Sequence, residues 1–159
     1  MSTRILLAPY AAILHTGSPN PKNPPLGWWE QVVSKLDCKV TQIGGIGESQ
    51  IQGTARFLVN LPLQVLREVV IAHDLFLTVD SFLPHFVYAE KLNKRGVVVF
   101  SQSSPAIFGH PENINLLKGE KYLRHFQFQS WADATYNADA FVSPEEVVNA
   151  CLTLLKSPD

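Results

Sequence analysis

The stretch "FLTVDSFLPHF", residues 76–86, starts as an apolar run and breaks off into an Asp, a Ser, a Pro and a His. A strand that is apolar at consecutive positions buries both of its faces. That arrangement belongs to a parallel sheet covered by helices on both sides. Asp80 and Ser81 then fall at the carboxyl end of the strand, and Pro84 and His85 open the helix that follows. In such sheets ligands bind at this edge, next to helix N-termini whose amides favour anions. The structural alternative is simpler: Asp80 and Ser81 cap the helix, and His85 bonds to backbone.

The flanking sequence repeats the pattern. Upstream, "RILLAPYAAIL" (4–14) reads as a first strand, followed by "HTGSPNPKNPPLG", a loop crowded with Pro, Gly and Asn. "WWEQVVSKL" (28–36) has a helical apolar period through Trp28, Trp29, Val32, Val33 and Leu36. "KVTQI" is a short strand leading into the glycine-rich turn "GGIGESQIQG". "LPLQVLREVVIAHD" places Leu63, Leu66, Val69 and Val70 on one helical face, with Pro62 suited to its first turn and His73–Asp74 closing it. Downstream come a helix over "LPHFVYAEKLNKR", an apolar strand "GVVVFS" and a Pro-rich stretch. The final helix, "SPEEVVNACLTLLK", has Ser143 as N-cap, Pro144 at its first position and Glu146 as the capping-box acid. Strands alternating with helices predict an α/β chain. The expectation is a single Rossmann-like domain over residues 1–159, with a parallel sheet and helices on both faces.

Composition narrows the function classes. A chain of 159 residues, 46% hydrophobic and 17% charged, has the profile of a globular domain. A formal net charge of −1 gives no strong nucleic-acid signal. No apolar run reaches the ~20 residues of a membrane span. Cys38 and Cys151 lie far apart without metal-ligand spacing and read as reduced thiols, so a cytoplasmic location is expected. His15, His110 and His125 read as surface residues, and no cluster has the spacing of a metal site.

Two further loops reach the same edge as Asp80. After the first strand, Thr16, Gly17, Ser18 and Lys22 offer amides, hydroxyls and one ammonium, the donor set a diphosphate needs. The alternative is a solvated connector. The loop has no Walker pattern, and the glycines at 44, 45 and 47 do not match a dinucleotide fingerprint. Glu48 could accept from both hydroxyls of a ribose, or serve as an acid beside a helix N-terminus.

Taken in order, these pieces resemble the C-terminal, donor-binding domain of the ADP-heptose:lipopolysaccharide heptosyltransferases, which have the GT-B architecture. The similarity runs through "LHTGSPNPKNPPLGWWEQVVSKL", "VTQIGGIGE", "LPLQVLREVVIAHD", "VVVFSQSSPAIFG" and "VSPEEVVNACLTLL", over about residues 4–155. The family's D-[ST]-G-x-x-H motif reads Asp80-Ser81-Phe82-Leu83-Pro84-His85 here. The resemblance implies nucleotide-sugar binding through Thr16, Ser18, Lys22, Glu48, Asp80, Ser81 and His85. Catalytic residues stay unassigned, with Asp80 and His85 as candidates. It implies donor binding without a required cofactor or metal. Two features depart from the family: Phe82 stands where the motif has Gly, and the sequence accounts only for the donor half. The expectation is therefore a glycosyltransferase-like protein that binds a nucleotide diphosphate sugar. A partner chain or second protomer would supply the acceptor side. The alternative is a non-catalytic nucleotide-sugar-binding or scaffold module.

Overall fold

The computed structural model describes residues 2–14, 16–128 and 134–157; His15 lies outside them. In chain order the elements are β1 (Arg4–Ala8), α1 (Trp28–Lys35), β2 (Lys39–Gly44), β3 (Arg56–Val59), α2 (Leu63–Ile71) and β4 (Leu75–Val79). They continue with α3 (Phe82–Ala89), β5 (Gly96–Phe100), α4 (Pro105–Phe108), β6 (Ile114–Leu117) and α5 (Pro144–Lys156). The six strands form one sheet in the order β3-β2-β1-β4-β5-β6, and every pair is parallel. This is the doubly wound order, with its reversal between β1 and β4.

The path from β1 through α1 to β2 steps one way across the sheet, and that from β4 through α3 to β5 steps the other. Right-handed crossovers in opposite directions put their helices on opposite faces. Two separate cores result. Ile5, Leu7, Leu75, Leu77, Val97 and Val99 point to the face covered by α1 and α5. Leu6, Phe76, Val98 and Phe100 point to the face covered by α2 and α3. β4 and β5 are buried along their whole length, as their unbroken apolar runs predict. Gly96 opens β5 because a Cβ there would overlap the Phe76 ring.

Local chemistry moves several boundaries. β1 stops at Ala8 instead of running to Leu14, because Pro9 has no N–H to continue the ladder. Trp28 and Trp29 are both core residues, packed edge to face at 4.8 Å. Their indole N–H groups donate to Val142 O at 3.0 Å and Pro9 O at 2.9 Å. Pro62 occupies the N-cap position of α2, one residue before its first turn. Helix α3 ends at Ala89, well short of residue 95. There Leu92 N–H bonds Val87 O, Lys91 N–H bonds Tyr88 O, and Lys91 turns left-handed at φ 53°. This Schellman closure returns Leu92 to the apolar face of the helix. At α5 the expected N-cap is present: Ser143 Oγ accepts from Glu146 N–H at 3.3 Å.

His73 closes α2, with its ring nitrogen Nδ1 2.6 Å from Val69 O. Burial lowers its pKa, and the bond to that carbonyl opposes the shift only in part. Below the ordinary value of ~6.5 the unfolded chain therefore binds a proton that the folded chain resists. Stability contributed by His73 is full above that pH and is lost as pH falls toward the folded value. Urea midpoints should drop between pH 7 and 5.5, and His73→Asn, which keeps a donor without the titration, should flatten the drop. An unchanged slope would remove His73 from the account.

Candidate functional site

The carboxyl edge of the sheet opens into a cleft of ≈ 1070 Å³ at the reversal between β1 and β4. Its walls are the exits of β1, β2 and β4, with the segment around Gln127 closing one side. The three loops singled out by sequence meet here because parallel strands send all their exits to one edge.

The loop after β1 is anchored by side-chain hydrogen bonds, although residues 16–19 stay exposed. Buried Asn20 donates its amide to Ala12 O at 2.7 Å and accepts from Lys22 N–H at 3.0 Å. Asn23 accepts from Ala11 N–H at 2.7 Å. Ser101 Oγ donates to Pro21 O at 2.8 Å, and Tyr136 OH to Asn23 O at 2.9 Å. These bonds satisfy backbone groups that a ladder would otherwise use. They also aim Lys22 at the cleft floor.

Lys22 Nζ lies 3.4 Å from Asp80 Oδ2, and its side chain keeps 21% exposure. The same Asp80 oxygen accepts from Ser103 Oγ at 2.6 Å. Asp80 is therefore a buried carboxylate satisfied by an ammonium and a hydroxyl, the requirement for a charge at that depth. Beside it, Thr78 Oγ1 donates to Ala8 O at 2.8 Å and ties the exits of β1 and β4 together. Ser81 occupies the N-cap position of α3, but its hydroxyl donates to Val79 O, and no side chain caps the helix. Because Ser81, Phe82 and Leu83 line the cleft, the α3 N-terminus faces it with first-turn amides to offer.

Across the cleft, Glu48 folds back over Gly44 and Gly45. A Cβ on Gly44 would overlap its carboxylate, so glycine at this position is what admits it. Buried Gln42 shapes the turn, donating to Ser49 O at 2.9 Å and accepting from Ile51 N–H at 2.6 Å. Desolvation raises the Glu48 pKa, and a hydrogen bond from the Gly45 backbone opposes the rise. The Tyr10 phenol, on the same cleft wall, is raised by burial and by the charges of Glu30 and Glu48.

Of the residues singled out by sequence, Lys22, Glu48, Asp80, Ser81 and His85 line this cleft. Thr16 and Ser18 do not. They sit on an exposed bend where the Thr16 hydroxyl accepts the Ser18 amide at 3.3 Å. Phe82 is 56% exposed and lines the cleft, its ring 5.4 Å from Phe86. Sequence reasoning missed Asn20, Ser103, Gln127 and His110. Gln127 accepts from Ser104 N–H at 2.8 Å and donates to Gln102 O at 3.0 Å, fixing the loop after β5. His110 is no isolated surface residue: its Nε2 lies 2.9 Å from Nδ1 of His85. Among the described residues no group of three or more His, Cys, Asp or Glu is placed to hold a metal.

Three solved structures share this arrangement over nearly the whole chain. E. coli ADP-heptose LPS heptosyltransferase II matches 98% of the chain with a TM-score of 0.69 and 19% identity. A family 9 glycosyl transferase from Veillonella parvula matches 98% with a TM-score of 0.70 and 19% identity. The iron-containing dodecameric heptosyltransferase TibC, in complex with ADP-D-β-D-heptose, matches 98% with a TM-score of 0.66 and 15% identity. The fold resembles one half of these glycosyltransferase structures. The chain spans about half the length of the structures it matches: 47%, 47% and 46% of each. No protein-family model matches its sequence, and no curated protein does. No helix among the described residues is long and apolar enough to cross a membrane.

Proposed function

We propose that the chain is the donor-binding half of a glycosyltransferase-like assembly and holds a nucleotide diphosphate sugar in the cleft. The observation that carries this reading is the meeting of Lys22, the uncapped N-terminus of α3 and Glu48 around one cavity at the sheet reversal. The Lys22 ammonium and the α3 amides suit the diphosphate, and Glu48 suits the ribose hydroxyls. The volume is in the range of small-molecule sites. A fold neighbour crystallised with ADP-heptose supports the ligand class.

Transfer breaks the bond from the anomeric carbon to the diphosphate and forms one to an acceptor oxygen, whose proton passes to a base. Fixed donors at Lys22 and α3 would offset the charge growing on the leaving diphosphate, so no metal is required in this scheme. Acceptor and base come from a partner chain or second protomer. Exposed Ile13, Leu63, Phe82 and Phe128 on the cleft walls support a covering surface of that kind. Asp80 is committed to Lys22 and Ser103, which argues against its use as the base.

Melting curves against a panel of nucleosides, nucleoside diphosphates and nucleotide sugars test the ligand. Saturation at ~100 times Kd adds ~2.7 kcal/mol, or about 5–10 °C for a chain of this size. Lys22→Ala should weaken a diphosphate ligand far more than the bare nucleoside. No shift at millimolar concentration would refute the reading, and equal losses for both ligands would return Lys22 to a structural role. The monomeric chain should release nucleotide from a bound donor only at a slow hydrolytic rate. Efficient transfer by the monomer would overturn the need for a partner.

A further inference from the structure

His85 and His110 come from different elements, 25 residues apart, and meet through Nδ1 and Nε2 at 2.9 Å. The His110 ring is held by a stack and its backbone by two hydrogen bonds. It stacks on Tyr88 at 4.5 Å with 22° between planes, and its carbonyl accepts from Asn113 N–H at 3.1 Å and Asn115 Nδ2 at 3.0 Å. With Nδ1 of His85 engaged, Nε2 is the ring nitrogen left for the cleft that His85 lines. We propose that His110 is a positioning residue for His85: it holds the ring so that Nε2 meets the anionic end of the ligand, and it shares the proton that makes Nε2 a donor.

The chemistry follows from counting N–H groups. A neutral imidazole has one donor and one acceptor nitrogen, and an imidazolium has two donors. In the bonded pair one ring nitrogen donates and the other accepts, so the pair carries at most one extra proton without losing its bond. When that proton is on His85, Nδ1–H donates to His110 and Nε2–H points to the cleft.

The ionisable groups around the pair set its direction. Lys22 and Asp80 face it from the cleft floor, and Tyr88 from its own helix. Glu112, Lys91, Lys94 and Arg95 line the groove behind His110. Partial desolvation, His110 and Lys22 lower the His85 pKa, and Asp80 opposes them. Among the described residues the ionisable lining of the cleft otherwise comprises the carboxylates Glu48 and Asp80, the ammonium of Lys22 and the Tyr10 phenol. A diphosphate therefore adds negative charge beside Glu48 and Asp80, and His85 offsets part of it by taking a proton from solvent. Affinity then falls as pH rises, by up to tenfold per unit between the free and bound pKa values. The identity of the anion rests on the function proposed above; the pairing does not.

Long-range proton–nitrogen NMR of the imidazoles between pH 5 and 8 decides the pairing in the ligand-free protein. His85 should titrate below the ordinary ~6.5. His110→Phe, which can keep the stack on Tyr88, should change both the midpoint and the tautomer of His85. His110→Gln, with an amide near the Nε2 position, should restore one tautomer even if the Phe variant folds poorly. Identical His85 spectra in wild type and both variants would overturn the proposal. With saturating inorganic pyrophosphate the midpoint should rise. Calorimetry in buffers of different ionisation heat should show about one proton taken up in wild type, and affinity should fall ~tenfold in His110→Phe. Binding without proton uptake also overturns it. If pyrophosphate does not bind but the free-protein differences are present, the diphosphate reading fails and the positioning role stands.

Discussion

Trp29→Ala is expected to lower stability by about 3–5 kcal/mol from lost packing alone. Trp29 is 2% exposed, inside the core under α1 and α5. Its indole also donates to Pro9 O, the first carbonyl beyond β1, which no ladder partner satisfies. Orphaning a buried acceptor adds about 1–3 kcal/mol. The sum approaches the whole stability of an ordinary domain, so Trp29→Ala should be largely unfolded at 37 °C. Trp29→Phe keeps most of the packing and removes the donor, and should cost roughly 2–3 kcal/mol. Urea titration followed by circular dichroism measures both. Near-equal midpoints for Trp29→Phe and wild type would mean that the bond to Pro9 contributes nothing. The loop that carries Lys22 starts at that carbonyl, so the Phe variant should also loosen the site.

Asp80→Ala is the second large effect. It removes a charge-assisted bond from Ser103, of the kind that contributes about 1.5–3 kcal/mol, and takes the Asp80 carboxylate away from Lys22. Breaking a fully buried pair costs ~3–5 kcal/mol, but Lys22 keeps a path to water, which discounts that figure. A loss of about 3 kcal/mol, or a melting point lower by roughly 6–12 °C, is the expectation. Asp80→Asn retains an acceptor for Ser103 and should recover more than half of it. A melting point of Asp80→Ala within about 2 °C of wild type would mean that the Lys22–Asp80–Ser103 contact does not hold the fold.

The central strands were legible because burial on both faces leaves a mark that composition cannot hide. β4 and β5 are unbroken apolar runs, and the N-cap of α5 is a local motif. The edge strands were not. β3 and β6 are four residues each, half-buried or exposed, and nothing in "RFLV" or "INLL" distinguishes them from loop. The end of α3 is hidden in the sequence because residues 90–95 can continue a helix, whereas the return of Leu92 to the core stops it. At the site, the residue types pointed to the right edge for Lys22, Glu48, Asp80, Ser81 and His85. Thr16 and Ser18 offer similar hydroxyls but sit on an exposed bend, where the Thr16 hydroxyl accepts the Ser18 amide. What sequence could not reveal is pairing at a distance. Ser103 with Asp80 and His110 with His85 depend on the strand order, not on spacing along the chain.

The order β3-β2-β1-β4-β5-β6 also constrains how the chain reaches its native state. β1 lies in the middle of the sheet, yet one of its two neighbours, β4, begins about 70 residues later, with Ile5 opposite Leu75. During synthesis the β1–β2–β3 half can assemble first, but it presents an open central edge until residue 79 has emerged. From the end of β3 at Val59 that interval lasts about 1–4 seconds at ~5–20 residues per second. Every ladder is parallel and joined through a crossover, so no hairpin is available to seed the sheet early. Such topologies fold slowly for their size and leave unpaired strand edges open to association. The strand edge that later carries the two halves of the cleft is thus the seam at which the nascent chain is most exposed to its neighbours.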